Sequence, residues 1–284
     1  MDMPKRHKYA SSPVITTKYD ICQQNAPSMK IALITDLHEY DPEYVLPVLE
    51  REKPDMICAA GDILERHILD GYEQQGEDPD EGDMSMFSRI FIRTLTKIKH
   101  SFYPDMVHPT AEFARYVNSE NSYRFFREAS KIAQVFYSPG NHERYFTDRD
   151  RQVIRETGIV FLDNSEAAWK GIRVGGLSST PDMDWLQEYS KRPGYKLLLC
   201  HHPEFYDKYL KDTDIDLILS GHVHGGQMRV LGKGIFSPGQ GLFPKYFHGF
   251  HDNRLIVSAG TSNTVSLPRW GNPCEVVIIN LSGK

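Results

Sequence analysis

Five short clusters in this 284-residue chain carry side chains able to hold a metal ion: Asp36 with His38, Asp62, Asn141 with His142, His201, and His222 with His224. A mixture of carboxylate, amide oxygen and imidazole suits Mn, Fe, Zn or Ni better than a structural zinc site built on thiolates. There are more donors than one ion needs. Two ions about 3.5–4 Å apart that share a carboxylate would use them all, and such a pair activates a bridging water and clamps a phosphoryl group for in-line attack. A single Asp or His at the end of a strand is usually a satisfied turn residue. The ordered set is what argues for chemistry.

Each cluster follows a short apolar run, at residues 30–35, 56–60, 134–137, 196–200 and 217–220, and these runs are expected to be buried strands. Residues 42–52 carry a helical stripe through Tyr44, Val45, Val48 and Leu49, so the chain opens on a strand–helix–strand unit and a parallel, helix-covered sheet is expected. In open α/β sheets, ligands gather beyond the carboxyl ends of the strands. Residues two apart on an extended segment face the same way, so Asp36 and His38, and likewise His222 and His224, are each expected to aim at one site from extended backbone. Glycines at 61, 140, 221, 225 and 226 are expected at tight turns and close approaches.

The rest of the chain supplies the frame. Residues 14–21 are expected to form an edge strand, residues 122–133, 148–157 and 185–190 helices, and residues 159–162, 169–177, 255–259 and 275–281 strands. Residues 65–118 break this rhythm. An acidic stretch at 70–83 suggests a solvated loop, residues 85–99 an amphipathic helix, and the proline-containing 103–110 a further loop. Met86, Phe87, Ile90 and Phe91 on that helix are expected to pack on the body, with a lid or a lipid-facing helix as the alternative. One domain over 1–284 with an insertion at about 65–118 is the parse.

The hydrophobic share is 40%, the charged share 25% and the net charge −5. This is a soluble globular composition with no basic stripe, and no nucleic-acid partner is expected. Four cysteines without a C-x-x-C pair point away from a disulfide framework and toward a reducing compartment. The N-terminal residues lack the apolar core of a secretory signal, and no apolar run reaches about 18 residues. A cytoplasmic location without a transmembrane segment is expected, with peripheral membrane contact left open.

Taken in order, Asp36-x-His38, Gly61-Asp62, Gly140-Asn141-His142, His201 and Gly221-His222-x-His224 resemble the calcineurin-like metallophosphoesterase superfamily, over about residues 30–225. The resemblance implies a four-layer α/β/β/α sandwich of two packed mixed sheets flanked by helices. It implies that Asp36, His38 and His224 hold one ion, that Asn141, His201 and His222 hold the other, and that Asp62 bridges them. His142 would stand near the leaving group as general acid or charge stabiliser, with Glu143 expected to orient it. The implied cofactors are two divalent transition-metal ions, Mn first, with Fe, Zn or Ni as alternatives.

Residues 221–227 (GHVHGGQ), 237–246 (SPGQGLFPKY) and 258–262 (SAGTS) are similar to the bacterial YaeI/YkuE-like phosphodiesterase branch. That branch includes members linked to the cell envelope and a pyrophosphatase of the lipid A pathway. The implied activity is hydrolysis of a phosphodiester or pyrophosphate bond in a small phosphorylated substrate, lipid-linked substrates included, by a metal-bridging hydroxide. A superfamily nuclease and a non-catalytic metal-binding scaffold are the rival readings. Arg144, Gln227 and Lys245, with Tyr246 beside the last, are candidate substrate contacts. His202 is expected to support the site. His67, His100, His108, His248 and His251 are expected at the surface, the last two alternatively bordering the substrate.

Overall fold

The computed structural model describes residues 13–66, 118–263 and 269–284. The expected insertion helix at 85–99, the acidic loop at 70–83, the loop at 103–110 and His67, His100 and His108 lie outside the described residues. In the first half of the chain the strands are β1 (Val14–Gln23), β2 (Met29–Ile34), β3 (Met56–Ala60), β4 (Gln134–Ser138), β5 (Val160–Phe161), β6 (Ser165–Trp169) and β7 (Ile172–Leu177). The second half adds β8 (Tyr195–Cys200), β9 (Leu217–Ser220), β10 (Arg229–Val230), β11 (Lys233–Gly234), β12 (Phe236–Ser237), β13 (Gly241–Leu242), β14 (Gly249–His251), β15 (Leu255–Val257) and β16 (Cys274–Gly283). Four α-helices are described: α1 (Leu46–Glu52), α2 (Ser119–Ile132), α3 (Asp148–Thr157) and α4 (Met183–Ser190).

Twelve of these strands form two six-stranded mixed sheets, ordered β1-β16-β2-β3-β4-β5 and β14-β15-β9-β8-β7-β6, and β10-β11 and β12-β13 form two short antiparallel pairs. The strands that precede the metal-type residues run parallel to one another within each sheet: β2, β3 and β4 in the first, β8 and β9 in the second. Their side chains alternate between two dry interfaces. Ile31, Leu33, Met56, Cys58 and Phe136 meet Val174, Leu197, Leu199, Leu219 and Ile256 between the sheets. Ala32, Ile34, Ile57, Ala59 and Tyr137 face outward onto Val48 and Leu49 of α1, Phe125 and Phe126 of α2, and Val153 of α3. Leu198, Cys200 and Ile218 pack on Leu186 and Tyr189 of α4. Burial on both faces explains why these strands are unbroken apolar runs. The result is the four-layer α/β/β/α sandwich expected from the sequence.

Helix ends follow local chemistry. Thr147 and Asp150 close a capping box at the start of α3, and Gly158, at φ 68°, ends it. Asp182 caps α4 through the N–H groups of Asp184 and Trp185. Two expectations need correction. Residues 42–52 are a 3-10 turn, Pro42–Tyr44, followed by α1, whose first turn contains Pro47. A proline lacks the N–H that a continuous helix would need. The strand expected at 169–177 is a hairpin, because Lys170 and Gly171 both take positive φ (42° and 84°) and reverse the chain between β6 and β7. Among the described residues no helix is long and apolar enough to cross a membrane.

Candidate metal centre and active site

Where β2, β3, β4, β8 and β9 end, the chain turns sharply. Asp36, His38, Asp62, His222 and His224 all sit at positive φ (56°, 50°, 56°, 71° and 44°). The extended backbone expected for Asp36-x-His38 and His222-x-His224 is therefore absent. Each pair converges because left-handed residues fold the loop back on itself. Asp and His enter that region more readily than branched residues do. Long-range hydrogen bonds hold the turns. The Asp36 N–H donates to Gly61 O (3.1 Å) and the His38 N–H to Asp62 O (2.9 Å). The Thr261 N–H donates to Thr35 O (3.0 Å), and the Ser262 hydroxyl to Asp36 O (2.7 Å). The SAGTS segment thus pins the first loop. Gly140 is needed for space: a Cβ there would lie 2.2 Å from Asp62 Oδ1.

The folded loops bring six donor side chains together. Asp36, His38 and His224 form one group and Asp62, His201 and His222 another, the donor atoms of each group lying within 4.8 Å of one another. Asp62 stands between them. Its Oδ2 is 3.0 Å from His201 Nε2, 3.7 Å from His38 Nε2 and 3.8 Å from His142 Nε2. Its Oδ1 accepts the His142 N–H at 3.0 Å. The Asp36 Oδ1 accepts the His222 N–H at 3.1 Å and lies 3.7 Å from His224 Nε2. Asn141 follows Gly140 on the same loop, and its Oδ1 is buried.

Two carboxylates around His142 have different tasks. Glu143, expected to orient it, does not. Its oxygens accept four backbone N–H groups, from Asp62 (2.8 Å), Ile63 (2.6 Å), Leu64 (2.8 Å) and Gly140 (2.5 Å), and so lock the β3 and β4 loops together. Glu65 takes the orienting role. Its Oε2 lies 2.9 Å from His142 Nδ1 and its Oε1 2.5 Å from His38 Nδ1. A carboxylate only accepts, so both imidazoles carry a proton on Nδ1 and aim Nε2 into the site. Glu65 falls where the sequence reading began the insertion, but it and Arg66 belong to the β3 loop. Arg66 donates to Asp150 (2.9 and 2.8 Å) and to Glu39 (2.6 Å), all buried.

The donor set fits divalent cations. Asp36 Oδ2, His38 Nε2, Asn141 Oδ1 and His201 Nε2 are buried and make no hydrogen bond. Each such group costs roughly 1–3 kcal/mol unless something else satisfies it. The His201 Nδ1–H donates to Ala60 O at 2.8 Å, which leaves Nε2 as the atom facing Asp62. The electrostatics divide the imidazoles. Burial pushes His222 well down, with His202 and His201 adding to it, and pushes His224 down to about 4. Burial thus favours the neutral form of both, the form in which an imidazole can bind an ion. At His201 and His142 burial acts in the same direction but the Asp62 carboxylate overrides it, and each is raised to about 10. The pocket around Asp62 attracts positive charge.

The side chains of Asp36, His38, Asp62, His201 and His222 are at most 3% exposed, that of His224 is 12% exposed and that of His142 27%. A cavity of about 790 Å³ opens beside Asn141, walled by Arg144, Ser179, His202, Glu204 and Phe205. Arg144 therefore flanks the centre. Gln227, next to the His224 turn, is buried and donates to Asn263 Oδ1 at 3.1 Å. Lys245 is not brought into the donor cluster: it pairs with Asp207 at 2.6 Å and lies over the Tyr246 ring. His202 is buried between Glu204 and Ser179. His248 bonds Glu275, and His251 bonds the His248 carbonyl.

Comparison with known proteins gives the same picture. The family described as Calcineurin-like phosphoesterase matches residues 29–226. A metallophosphoesterase of Campylobacter jejuni is 30% identical over 53% of this chain and 42% of its own length. One from Aquifex aeolicus is 26% identical over 94% of this chain and 91% of its own. The phosphodiesterase YaeI of Escherichia coli is 25% identical over 73% of this chain and 65% of its own. The chain thus spans less than two thirds of the Campylobacter and Escherichia proteins. With strand-end carboxylates and imidazoles gathered into two adjoining groups, and a family match across most of the sandwich, the chain belongs to the calcineurin-like phosphoesterases, a family of metal-dependent hydrolases of phosphoric esters.

Proposed function

We propose that this chain hydrolyses a phosphodiester or pyrophosphate bond in a small phosphorylated substrate, lipid-linked substrates included, with two divalent transition-metal ions, Mn first among them. One observation carries the reading: two donor groups adjoin at Asp62, and a more exposed imidazole, His142, faces the same carboxylate. Asp36, His38 and His224 would hold one ion, Asn141, His201 and His222 the other, and Asp62 both. Bound there, the ions would supply Lewis acidity to the phosphoryl group and to an attacking water. His142 is the proton donor or charge stabiliser at the leaving oxygen, and Glu65 fixes its tautomer and direction. Arg144, on the cavity wall, is positioned to meet a substrate phosphate through its planar fork. The preference for a diester or pyrophosphate is supported by the likeness to YaeI, which is named a phosphodiesterase.

The test is direct. Protein stripped with chelator and reloaded with Mn is expected to cleave bis-p-nitrophenyl phosphate near neutral pH, with Asp62→Asn unable to retain the ion pair by elemental analysis. No cleavage of that diester, of pyrophosphate or of p-nitrophenyl phosphate by protein that binds two ions would sink the enzyme reading. Vigorous release of nucleotides from single-stranded DNA would favour a nuclease instead.

A further inference from the structure

Glu204 has no role in the scheme above, yet it touches the centre. Its Oε1 lies 3.8 Å from His222 Nε2. The donor pairs already assigned to a common ion show the same spacing, 3.9 Å for Asp36 with His38 and 3.7 Å for Asp36 with His224. Two donors that each sit about 2.0–2.2 Å from one ion are separated by roughly 3–4 Å. Donor atoms of His202, Glu204 and His222 all fall within 4.8 Å of one another.

The surroundings aim this carboxylate. The His202 Nδ1–H donates to Glu204 Oε1 at 3.0 Å, and the Ser179 hydroxyl donates to His202 Nε2 at 2.8 Å. Both nitrogens of His202 are thereby used, so His202 holds the carboxylate rather than an ion. The Glu204 Oε2 is buried and makes no hydrogen bond, although a carboxylate oxygen ordinarily accepts one or two. From the other side the loop after β12 presses in. Gly239 sits at φ +68°, and a Cβ there would lie 2.3 Å from Glu204 Oε1. Only a residue without a side chain leaves the carboxylate where it is.

We propose that Glu204 supplies a further carboxylate to the ion held by Asp62, Asn141, His201 and His222, positioned by the Ser179–His202 relay and by Gly239. The inference rests on the two-metal reading. It makes the two ion positions unequal: the one on the cavity side carries an extra oxygen donor, which favours a six-coordinate ion such as Mn over tetrahedral zinc.

The experiment uses the full chain, stripped of metal and titrated with Mn by calorimetry, with ion content checked by elemental analysis and the pair monitored by electron paramagnetic resonance. Wild type is expected to take up two ions and show a coupled pair. Glu204→Gln is expected to keep one ion at wild-type affinity, bind the second 10–100-fold more weakly and give an uncoupled spectrum at limiting Mn. Glu204→Asp, which withdraws the carboxylate by one methylene, is expected to show the same loss to a smaller degree and serves if the Gln variant does not fold. Two ions bound by either variant with wild-type affinity and coupling would overturn the role of Glu204 and leave the two-metal reading intact. A wild-type chain that takes up fewer than two ions would overturn that reading and this inference with it.

Discussion

Glu65 holds two imidazoles at once, His38, proposed for an ion, and His142, proposed for the leaving group. That division can be measured. His142→Ala is expected to retain both ions by elemental analysis and to lose about 10²–10⁴-fold in kcat, the usual contribution of a positioned proton donor. Glu65→Gln is expected to lower kcat and also weaken ion uptake, because its other oxygen orients His38 at 2.5 Å. Unchanged turnover in His142→Ala would remove that residue from the chemistry. The eight motif positions were legible in the sequence because residue type and order are local properties. Glu65 was not: its two partners lie 27 and 77 residues away. The available cue was its place three residues after Asp62. Glu143 shows the converse. Adjacent to His142 in sequence, it is consumed by four N–H groups brought in by folding.

At the scale of elements, the loops are held by a buried polar network rather than by the strands alone. Asp150 of α3 accepts from Arg66 in the β3 loop, from Tyr123 of α2 (2.6 Å) and from Thr147, while Arg66 also reaches Glu39 in the β2 loop. Burial would raise the Asp150 carboxyl, but the bonds from Arg66, Tyr123 and Thr147 outweigh it and hold the group below its ordinary value of 3.8. A depressed folded-state pKa stabilises above the unfolded value and loses that contribution as pH falls toward the folded one. Acid titration of wild type should therefore show stability falling below about pH 4. Asp150→Asn should flatten that limb and cost on the order of 3 kcal/mol at pH 7, since it leaves Arg66 only partly paired. Urea unfolding at pH 3, 4 and 7 checks both. A wild-type–like acid limb in the variant would dismiss the network as a source of stability. The strands and most helices were legible from apolar runs and periodicity. The Pro42–Glu52 split and the β6–β7 hairpin were not, because apolar content alone does not register where the chain must break.

For the molecule as a whole, the centre joins two sheets. Asp36, His38, Asp62 and Asn141 follow strands of the first sheet, and His201, His222 and His224 follow strands of the second. Ions bound there bind the folded state and not the unfolded chain. At about 100 times its Kd each proposed ion would add about 2.7 kcal/mol. Chelation is expected to lower Tm by several degrees, and saturating Mn to restore it, in scanning calorimetry. A Tm indifferent to both would show that the sheets do not share the ions. The sequence by itself determined the donor types, their order and the buried strands that carry them, because these follow from composition, period and spacing along the chain, while the layered sandwich was what the family resemblance implied. Only the tertiary structure decided the left-handed turns at the donors, the pairing of Glu65 with His142 and His38, and the placing of Glu204 beside His222. Each of those depends on contacts between loops distant in sequence, and no local pattern encodes which distant group arrives.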